Sequence, residues 1–491
     1  MKNMNAELFR SYESAIKNAG FTPCGKVKNL DDITSEQGGK LGLGMECLDR
    51  DLWEYECVSD EIKMLGIHMA RIQSGWQKTE KEEGVYDYAW LDSVVDSLIE
   101  NGIEPMLSLC YGNKLYRDDP ERFPNIQHGG VGHMPVETER ERNGWMNYVR
   151  STISHYKDRI KHFEIWNEAD VTAFLVSDMP WCDCYMELVK MTSPIIRSIA
   201  PEAKILSCTA TTESAELLAD MGMGDYVDIH SFHNYCVWPE MRYGEQINAI
   251  SYMKSKAPHL RIWRGEAGFP SYNDPRSNGA LCKNIVSEEM QAKFILRHIA
   301  CDMNNDLLDK TFYFHAYDFK HFKGIVRYHY GVIRHEGERR KPAYYSLQMM
   351  AHLFAGEVKC NKDYALCFAY KDENEEGMLT HADQLDMRFF SYEKNGNPFF
   401  AYYIQRAIGN DTVVSKTILT LPYLESLKNP VILDPLTRSI YPIASARRFT
   451  APVTDYPMLV LDASMLEGIA DIELPEKQND GKKEIKQFFE E

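Results

Sequence analysis

The chain has 491 residues, more than one hydrophobic core usually supports, so we expect two domains. Hydrophobic side chains make up 44% of it and aromatic ones 12%, which is typical of a folded globular protein. The net charge is −18 and no basic run is present, which argues against nucleic acid and anionic membranes as partners, because both require a positive surface.

Eight short apolar runs follow one another along the first two thirds of the chain, and helix-like stretches lie between them. Strands that alternate with helices form parallel sheets, and eight such units match the usual size of a closed barrel. We therefore predict an α/β fold, a (β/α)8 TIM barrel. The predicted strands are residues 41–47, 67–73, 103–111, 161–167, 203–209, 227–233, 260–266 and 311–318.

After residue 356 the pattern changes to short β-prone runs separated by turns. Asn395 and Gly396 between two apolar runs predict a hairpin. We predict the catalytic barrel at residues 41–356, an all-β sandwich at 357–475 and a charged tail at 476–491. Residues 1–40 form a separate N-terminal segment with one β-prone run, FTPCGKVKNL.

Signals for targeting and for cofactors are weak in this sequence. The N-terminal residues lack the apolar segment of a signal peptide, and the 12 cysteines are scattered as expected for reduced thiols, so we expect a cytoplasmic protein.

Gly42 and Gly44 lack the third glycine of a dinucleotide-binding loop. His230 and His233 have metal-like spacing, but their strand context favours hydrogen bonding. We expect no cofactor and no metal.

Two of the predicted strands end in glutamate: Glu168 follows the fourth, and Glu266 closes the seventh. Active sites of such barrels lie at the C-terminal ends of the strands. Cleavage of a glycosidic bond needs one carboxyl group to protonate the leaving oxygen and a second to attack or to activate water. The pair therefore predicts a glycosidase, whereas each glutamate alone is better explained as a solvated loop residue.

Residues 41 to 350 resemble clan A of the glycoside hydrolases, and family 39 most closely. The resemblance is carried by Trp166-Asn167-Glu168, Glu266, Arg71, His233-Asn234-Tyr235 and the run GVYDYAW from Gly84. It implies a retaining mechanism in which Glu168 is the acid/base and Glu266 the nucleophile. It also implies that Asn167 holds the sugar 2-hydroxyl, that Arg71 and Tyr235 hydrogen-bond the nucleophile, and that part of residues 1–40 packs on the β domain.

The sequence departs from the clan pattern at two places. Ala169 and Asp170, not proline, follow Glu168, and strand eight lacks the usual tryptophan beneath the sugar, a place that His315, Tyr317 or Asp318 is expected to take. Further substrate-binding candidates near the site are Trp166, His233, Glu46 and Asn113, with an internal salt bridge the alternative for Glu46 and a turn-forming role the alternative for Asn113.

The expected substrate is a short oligosaccharide or glycoside that loses its terminal sugar. The same pair of catalytic glutamates suits β-xylosides, β-galactosides, β-glucosides and α-L-arabinofuranosides, because these substrates are taken to differ only in the orientation of their hydroxyl groups. The alternatives are a catalytically inactive carbohydrate-binding barrel and a transglycosylase. The oligomeric state stays open, a homo-oligomer included.

Overall fold

The structure is a computed structural model. It describes residues 4–118, 132–236, 238–271, 286–320, 327–335, 339–368, 377–409, 414–421, 427–443 and 448–474. The predicted charged tail lies outside these residues. Contacts divide the chain into two compact units, one formed by Thr34–Lys359 and the other by Met1–Ile33 together with Cys360–Glu491.

The larger unit is a closed barrel of eight parallel strands, so the predicted fold class is confirmed. Each strand pairs with its neighbours in the chain, and the eighth pairs with the first. We number them in chain order: β1 Leu41–Gly44, β2 Met69–Gln73, β3 Glu104–Leu109, β4 His162–Ile165, β5 Lys204–Thr209, β6 Ile229–Phe232, β7 Arg261–Ala267 and β8 Lys310–Tyr313.

Helices follow the barrel strands, as expected for strands joined by right-handed crossovers. The helices of this unit are Ser59–Met64, Trp76–Thr79, Ala89–Glu100, Glu139–Tyr156, Trp181–Ile199, Thr212–Asp220, Pro239–Lys256, Glu288–Met303 and Pro342–Leu353, and two short hairpins pair Glu80–Glu82 with Val85–Tyr86 and Phe319–Lys320 with Arg327–Tyr328. In the part of the chain that the structure describes, no helix is long and apolar enough to cross a membrane.

The smaller unit is built from antiparallel strands and begins with the helix Met4–Asn18. The N-terminal strand Gly25–Val27 pairs with Ser439–Pro442 on one side and Ala470–Ile472 on the other. The same sheet continues through Pro430–Leu433, Met458–Asp462, Asn397–Ile404 and Met387–Lys394. A second sheet contains Cys367–Phe368, Ser415–Thr420 and Arg448–Val453. The strand Val358–Cys360, which begins before the boundary at Cys360, is the edge strand of the first sheet, next to Met387–Lys394. The described residues also form the helix His381–Gln384.

The predicted hairpin lies in this unit. Lys394 pairs with Asn397, and the two residues between them, Asn395 and Gly396, both have positive φ. Such a two-residue turn matches the twist of the flanking strands. The first sheet therefore combines residues from both ends of the chain.

Apolar side chains fill the middle of the barrel, and polar ones lie beyond them toward the C-terminal ends of the strands. The apolar cluster contains Met69, Met106, Leu206, Ile229, Trp263 and Phe312. Arg71 lies on β2, two residues after Met69. Glycines leave the space that the polar residues occupy: a Cβ on Gly44 would lie 2.6 Å from the Glu46 carboxylate, and one on Gly265 would lie 2.2 Å from the Ser231 hydroxyl.

Candidate active site

Arg71 on β2 is the centre of the polar network at the C-terminal end of the barrel, and its side chain is fully buried. Its Nη1 donates to Glu46 Oε1 at 2.8 Å and to Glu266 Oε1 at 2.6 Å. Its Nε and Nη2 donate to Glu164 Oε2 at 2.9 and 2.6 Å, and Nη2 also donates to Asn167 Oδ1 at 2.7 Å. One guanidinium therefore joins the ends of β1, β2, β4 and β7.

Glu266, in β7, has hydrogen-bond partners on both carboxylate oxygens. Its Oε1 accepts from Arg71, and its Oε2 accepts from the Tyr235 hydroxyl at 2.9 Å. Burial and the charge of Glu266 raise the pKa of Tyr235 far above its usual value, so the hydroxyl remains a donor. His233 Nδ1 lies 3.4 Å from Glu266 Oε2. This carboxylate is held in a fixed orientation by an ion pair on one oxygen and a hydrogen bond on the other.

Glu168, directly after β4, lies beside Glu266. His233 Nδ1 is 2.7 Å from Glu168 Oε1, and one atom from each of Glu168, His233 and Glu266 lies within 4.8 Å of the others. Burial, followed by the negative charge of Asp170, raises the pKa of Glu168 to about 8. Glu168 therefore holds a proton at neutral pH, next to a carboxylate that is paired with a cation.

Three carboxyl groups surround the single charge of Arg71, and this limits how many of them can be ionised. Burial and the negative charge of Glu266 raise the pKa of Glu46, against the opposing effect of Arg71. Glu46 Oε2 is buried and has no hydrogen-bond partner among the described residues, which also disfavours the charged form. Glu46 forms an ion pair with Arg71. This is the internal salt bridge that the sequence left open as the alternative to sugar binding by Glu46.

Replacing Arg71 with methionine is expected to destabilise the barrel. The change leaves buried carboxyl groups without their cation, and breaking a buried ion pair costs about 3–5 kcal/mol. The free energy of unfolding in urea measures the effect. Arg142→Met is the matched control, because Arg142 pairs with Glu187 at the surface, where both side chains are about 40% exposed, and we expect it to cost less than about 1 kcal/mol. Equal losses in both variants would contradict the central role of Arg71.

The remaining predicted substrate-binding residues are engaged inside the protein. Trp166 is fully buried and donates to the Phe174 carbonyl. Asn113 donates to the Glu80 carbonyl and accepts from Leu115 N, which is the turn-forming role.

The three strand-eight candidates are engaged in the same way, and one of them, Asp318, is buried and pairs with Lys341. The ring nitrogens of His315 lie 3.0 Å from the carbonyls of Tyr317 and Glu46. The hydroxyl of Tyr317 is 3.0 Å from His335 Nδ1. Neither residue replaces the missing strand-eight tryptophan with a ring face open to solvent, because the two side chains are 0% and 8% exposed. In the described residues, Trp53 packs edge-on against His315.

Sequence reasoning missed one member of the network, Glu164, and one residue next to it on β2, Gln73. Glu164 lies inside the run HFEIWNE, where a charged residue in an apolar strand indicates a buried partner. Gln73 lies two residues after Arg71 on β2, and so on the same side of the strand. His230 is separate from the network, because its ring nitrogens lie 2.9 and 3.1 Å from the hydroxyls of Ser207 and Thr209.

A closed parallel barrel with a protonated and an ion-paired glutamate side by side at the C-terminal ends of its strands is the arrangement of a glycoside hydrolase. The model of the family described as "Glycosyl hydrolases family 39" matches residues 54–387. The chain belongs to this family, as the sequence motifs predict. The family implies a carbohydrate substrate.

Solved structures with a similar fold include a family 39 glycoside hydrolase from Bacteroides cellulosilyticus, with a TM-score of 0.63 and 15% identity over 89% of this chain and 82% of that one. A monomeric β-xylosidase from Caulobacter crescentus has a TM-score of 0.59 and 15% identity over 87% of this chain and 97% of that one. The chain is 30% identical to the β-galactosidase BbgII of Bifidobacterium bifidum over 122 residues, which are 22% of this chain and only 17% of that protein.

Proposed function

We propose that the protein is a retaining glycosidase that removes terminal sugars from short oligosaccharides or glycosides by double displacement. The observation that carries this proposal is the short distance between Glu168 and Glu266, whose nearest carboxylate oxygens lie within 4.8 Å. Retaining enzymes place their carboxyl groups about 5–5.5 Å apart, whereas inverting enzymes leave about 6.5–9.5 Å for a water molecule.

The charge states divide the two roles. Glu168 keeps its proton because its pKa is raised to about 8, so it protonates the leaving oxygen. Glu266, held by Arg71 and Tyr235, attacks the anomeric carbon and forms a glycosyl–enzyme ester. Glu168, now a carboxylate, then takes a proton from water, and the hydroxyl group displaces Glu266. Two inversions leave the configuration unchanged.

His233 contacts both carboxyl groups. Burial lowers its pKa, so it is neutral at pH 7 and positions Glu168 by hydrogen bonding. Asn167 accepts a hydrogen bond from Arg71 and directly precedes Glu168, and this supports the proposal that it binds the sugar 2-hydroxyl.

A panel of nitrophenyl β-xyloside, β-galactoside, β-glucoside and α-L-arabinofuranoside tests the proposal. We expect turnover of at least one member. We also expect NMR to show that the sugar has the same anomeric configuration as the substrate when it is first released. A product of opposite configuration would overturn the retaining mechanism. Binding without turnover would favour the inactive carbohydrate-binding barrel, and transfer to added sugar acceptors faster than to water would favour the transglycosylase.

The activity is expected to fall on the alkaline side with a midpoint near pH 8. Formation of the glycosyl–enzyme needs protonated Glu168, whose raised pKa is about 8, so kcat/KM decreases about tenfold per pH unit above that value. The pH profile of kcat/KM with an alkyl glycoside measures this. A 2,4-dinitrophenyl glycoside, whose leaving group needs little protonation, should show a much shallower decrease. A midpoint near pH 5 with the alkyl glycoside would contradict the assignment of Glu168.

A further inference from the structure

Cys208 is a fully buried thiol near the C-terminal end of β5. Its Sγ lies 3.3 Å from His233 Nε2, and the other ring nitrogen of His233 lies 2.7 Å from Glu168 Oε1. Among the described residues, Cys208 is the only hydrogen-bond partner of His233 Nε2. The thiol, the imidazole and the carboxyl group therefore form a continuous chain that ends at the residue proposed as the acid.

All three groups of this chain are neutral at pH 7. Burial, followed by the negative charge of Glu164, raises the pKa of Cys208 far above its usual value, so the sulfur keeps its proton. Burial lowers the pKa of His233, so the ring carries a single N–H. Burial raises the pKa of Glu168 to about 8. The chain thus holds one S–H, one ring N–H and one carboxyl proton, and its chemistry depends on which atoms carry them.

A neutral histidine has one donor and one acceptor, and its partners select the nitrogen that carries the proton. If the proton is on Nδ1, the thiol of Cys208 donates to Nε2, the ring donates to Glu168 Oε1, and the carboxyl proton is on Glu168 Oε2. If the proton is on Nε2, Glu168 must donate its own proton from Oε1 to Nδ1. The thiol proton then has no acceptor among the described residues.

The surroundings of His233 favour the proton on Nδ1. That arrangement gives both buried donors an acceptor, as buried polar groups require. It also directs an N–H, and not a lone pair, toward the carboxylate of Glu266, whose Oε2 lies 3.4 Å from Nδ1. Glu168 Oε2 forms no hydrogen bond with any described residue, and the Glu168 side chain is 13% exposed. A proton on this oxygen is therefore accessible to a substrate.

We propose that Cys208 is a positioning residue of the active site, whose thiol donates to His233 Nε2 and thereby keeps the transferable proton of Glu168 on Oε2. This inference rests on the proposed glycosidase function and deepens it, because it names the residue that orients the acid. The proton passes from Oε2 to the leaving oxygen as the glycosidic bond breaks, and the S–H and Nδ1–H bonds stay intact. In the second step the same oxygen takes a proton from water.

The test uses the dependence of kcat/KM on the leaving group. Cys208→Ala removes the donor, so the second tautomer becomes populated and holds the proton of Glu168 on Oε1. With an alkyl glycoside kcat/KM should fall about 2- to 10-fold, the scale of one neutral hydrogen bond. With a 2,4-dinitrophenyl glycoside, which needs little protonation, kcat/KM should stay close to the wild-type value. An equal loss with both substrates, or no loss with either, would overturn the proposal.

Two further variants separate the hydrogen bond from simple packing. Cys208→Ser keeps a donor near the same position, so with the alkyl glycoside it should retain more of kcat/KM than Cys208→Ala does. Cys184→Ala is the matched control, because Cys184 is equally buried, lies in the helix Trp181–Ile199 and contacts the sulfur of Met134 at 3.4 Å. It should leave the ratio of the two kcat/KM values unchanged. A serine variant that loses more than the alanine variant would contradict a role of Cys208 as donor.

NMR of the histidine rings tests the inference without any turnover. In protein labelled with nitrogen-15 at its histidines, two-bond nitrogen–proton correlations show which ring nitrogen carries the proton, and His233→Gln identifies the signals of His233. We expect the proton on Nδ1 in the wild type and a mixture of both tautomers in Cys208→Ala.

The same measurement distinguishes failure of this inference from failure of the proposed function. If the wild type cleaves no glycoside, the glycosidase proposal fails, and the tautomer of His233 still tests the role of Cys208. A proton on Nε2 in the wild type would overturn the inference even in an active glycosidase. A proton that stays entirely on Nδ1 in Cys208→Ala would overturn it as well.

Discussion

Glu266→Ala is expected to abolish turnover of every glycoside, whatever its leaving group. Without the carboxylate no glycosyl–enzyme ester can form, and a loss on the order of 10⁵–10⁶ in kcat is the scale seen when an enzyme of covalent mechanism loses its nucleophile. The loss should be the same for alkyl and dinitrophenyl substrates, because the missing group acts on the anomeric carbon. Steady-state kinetics with both substrates measures it.

The control for this variant tests the covalent bond directly. A 2-deoxy-2-fluoro glycoside with a good leaving group should label the wild-type protein once, and mass spectrometry of the digested protein should find the sugar on Glu266. Glu164→Gln is the matched variant, since Glu164 shares Arg71 with Glu266 but is fully buried, and it should still be labelled. Labelling of the Glu266→Ala variant at the wild-type rate would refute the assignment of the nucleophile.

The loss of kcat/KM in Glu168→Ala is expected to depend on the leaving group of the substrate. Loss of a general acid costs about 10²–10⁴ in rate, and for alkyl glycosides kcat/KM should fall by this factor. With dinitrophenyl glycosides kcat/KM should change little, because that leaving group departs without a proton. Their kcat should fall, since the second step still needs Glu168 to activate water. Burst kinetics should then show that the glycosyl–enzyme accumulates.

Added azide provides the control for the Glu168 variant. The small anion fits the space left by the carboxylate and needs no general base, so it should restore kcat with the dinitrophenyl substrate. The product should be a glycosyl azide with the configuration of the substrate. In the Glu266→Ala variant, added azide should not yield a glycosyl azide with the configuration of the substrate. A Glu168→Ala variant with wild-type rates on alkyl glycosides would show that another residue is the acid.

The eight strands could be predicted from the sequence because each apolar run has the length of a strand and ends before a turn. The N-terminal strand was harder to place. Gly25–Val27 has three residues, and its partners Ser439–Pro442 and Ala470–Ile472 lie more than 400 positions away. Pairing over such a distance depends on the whole sheet, and no local pattern in the chain specifies it.

The candidate site also has a part that the sequence predicts and a part that it does not. The positions of Glu168 and Glu266 follow from the sequence, because parallel strands in a barrel bring their C-terminal ends together. The internal roles of Trp166, Asn113 and His315 do not, since their partners Phe174, Glu80 and Glu46 are chosen by the paths of the loops.

The sequence by itself determined the barrel, the family and the two glutamates, because periodicity and strand ends are local properties. The tertiary structure alone decided which charges surround Arg71. Glu46 follows β1, whereas Glu164 and Glu266 lie in β4 and β7, and the three are 25, 93 and 195 positions from Arg71. The stagger of the closed barrel and the small size of Gly44 place them around one guanidinium. Burial there, together with nearby Asp170, raises the pKa of Glu168, which supports its proposed role as the acid.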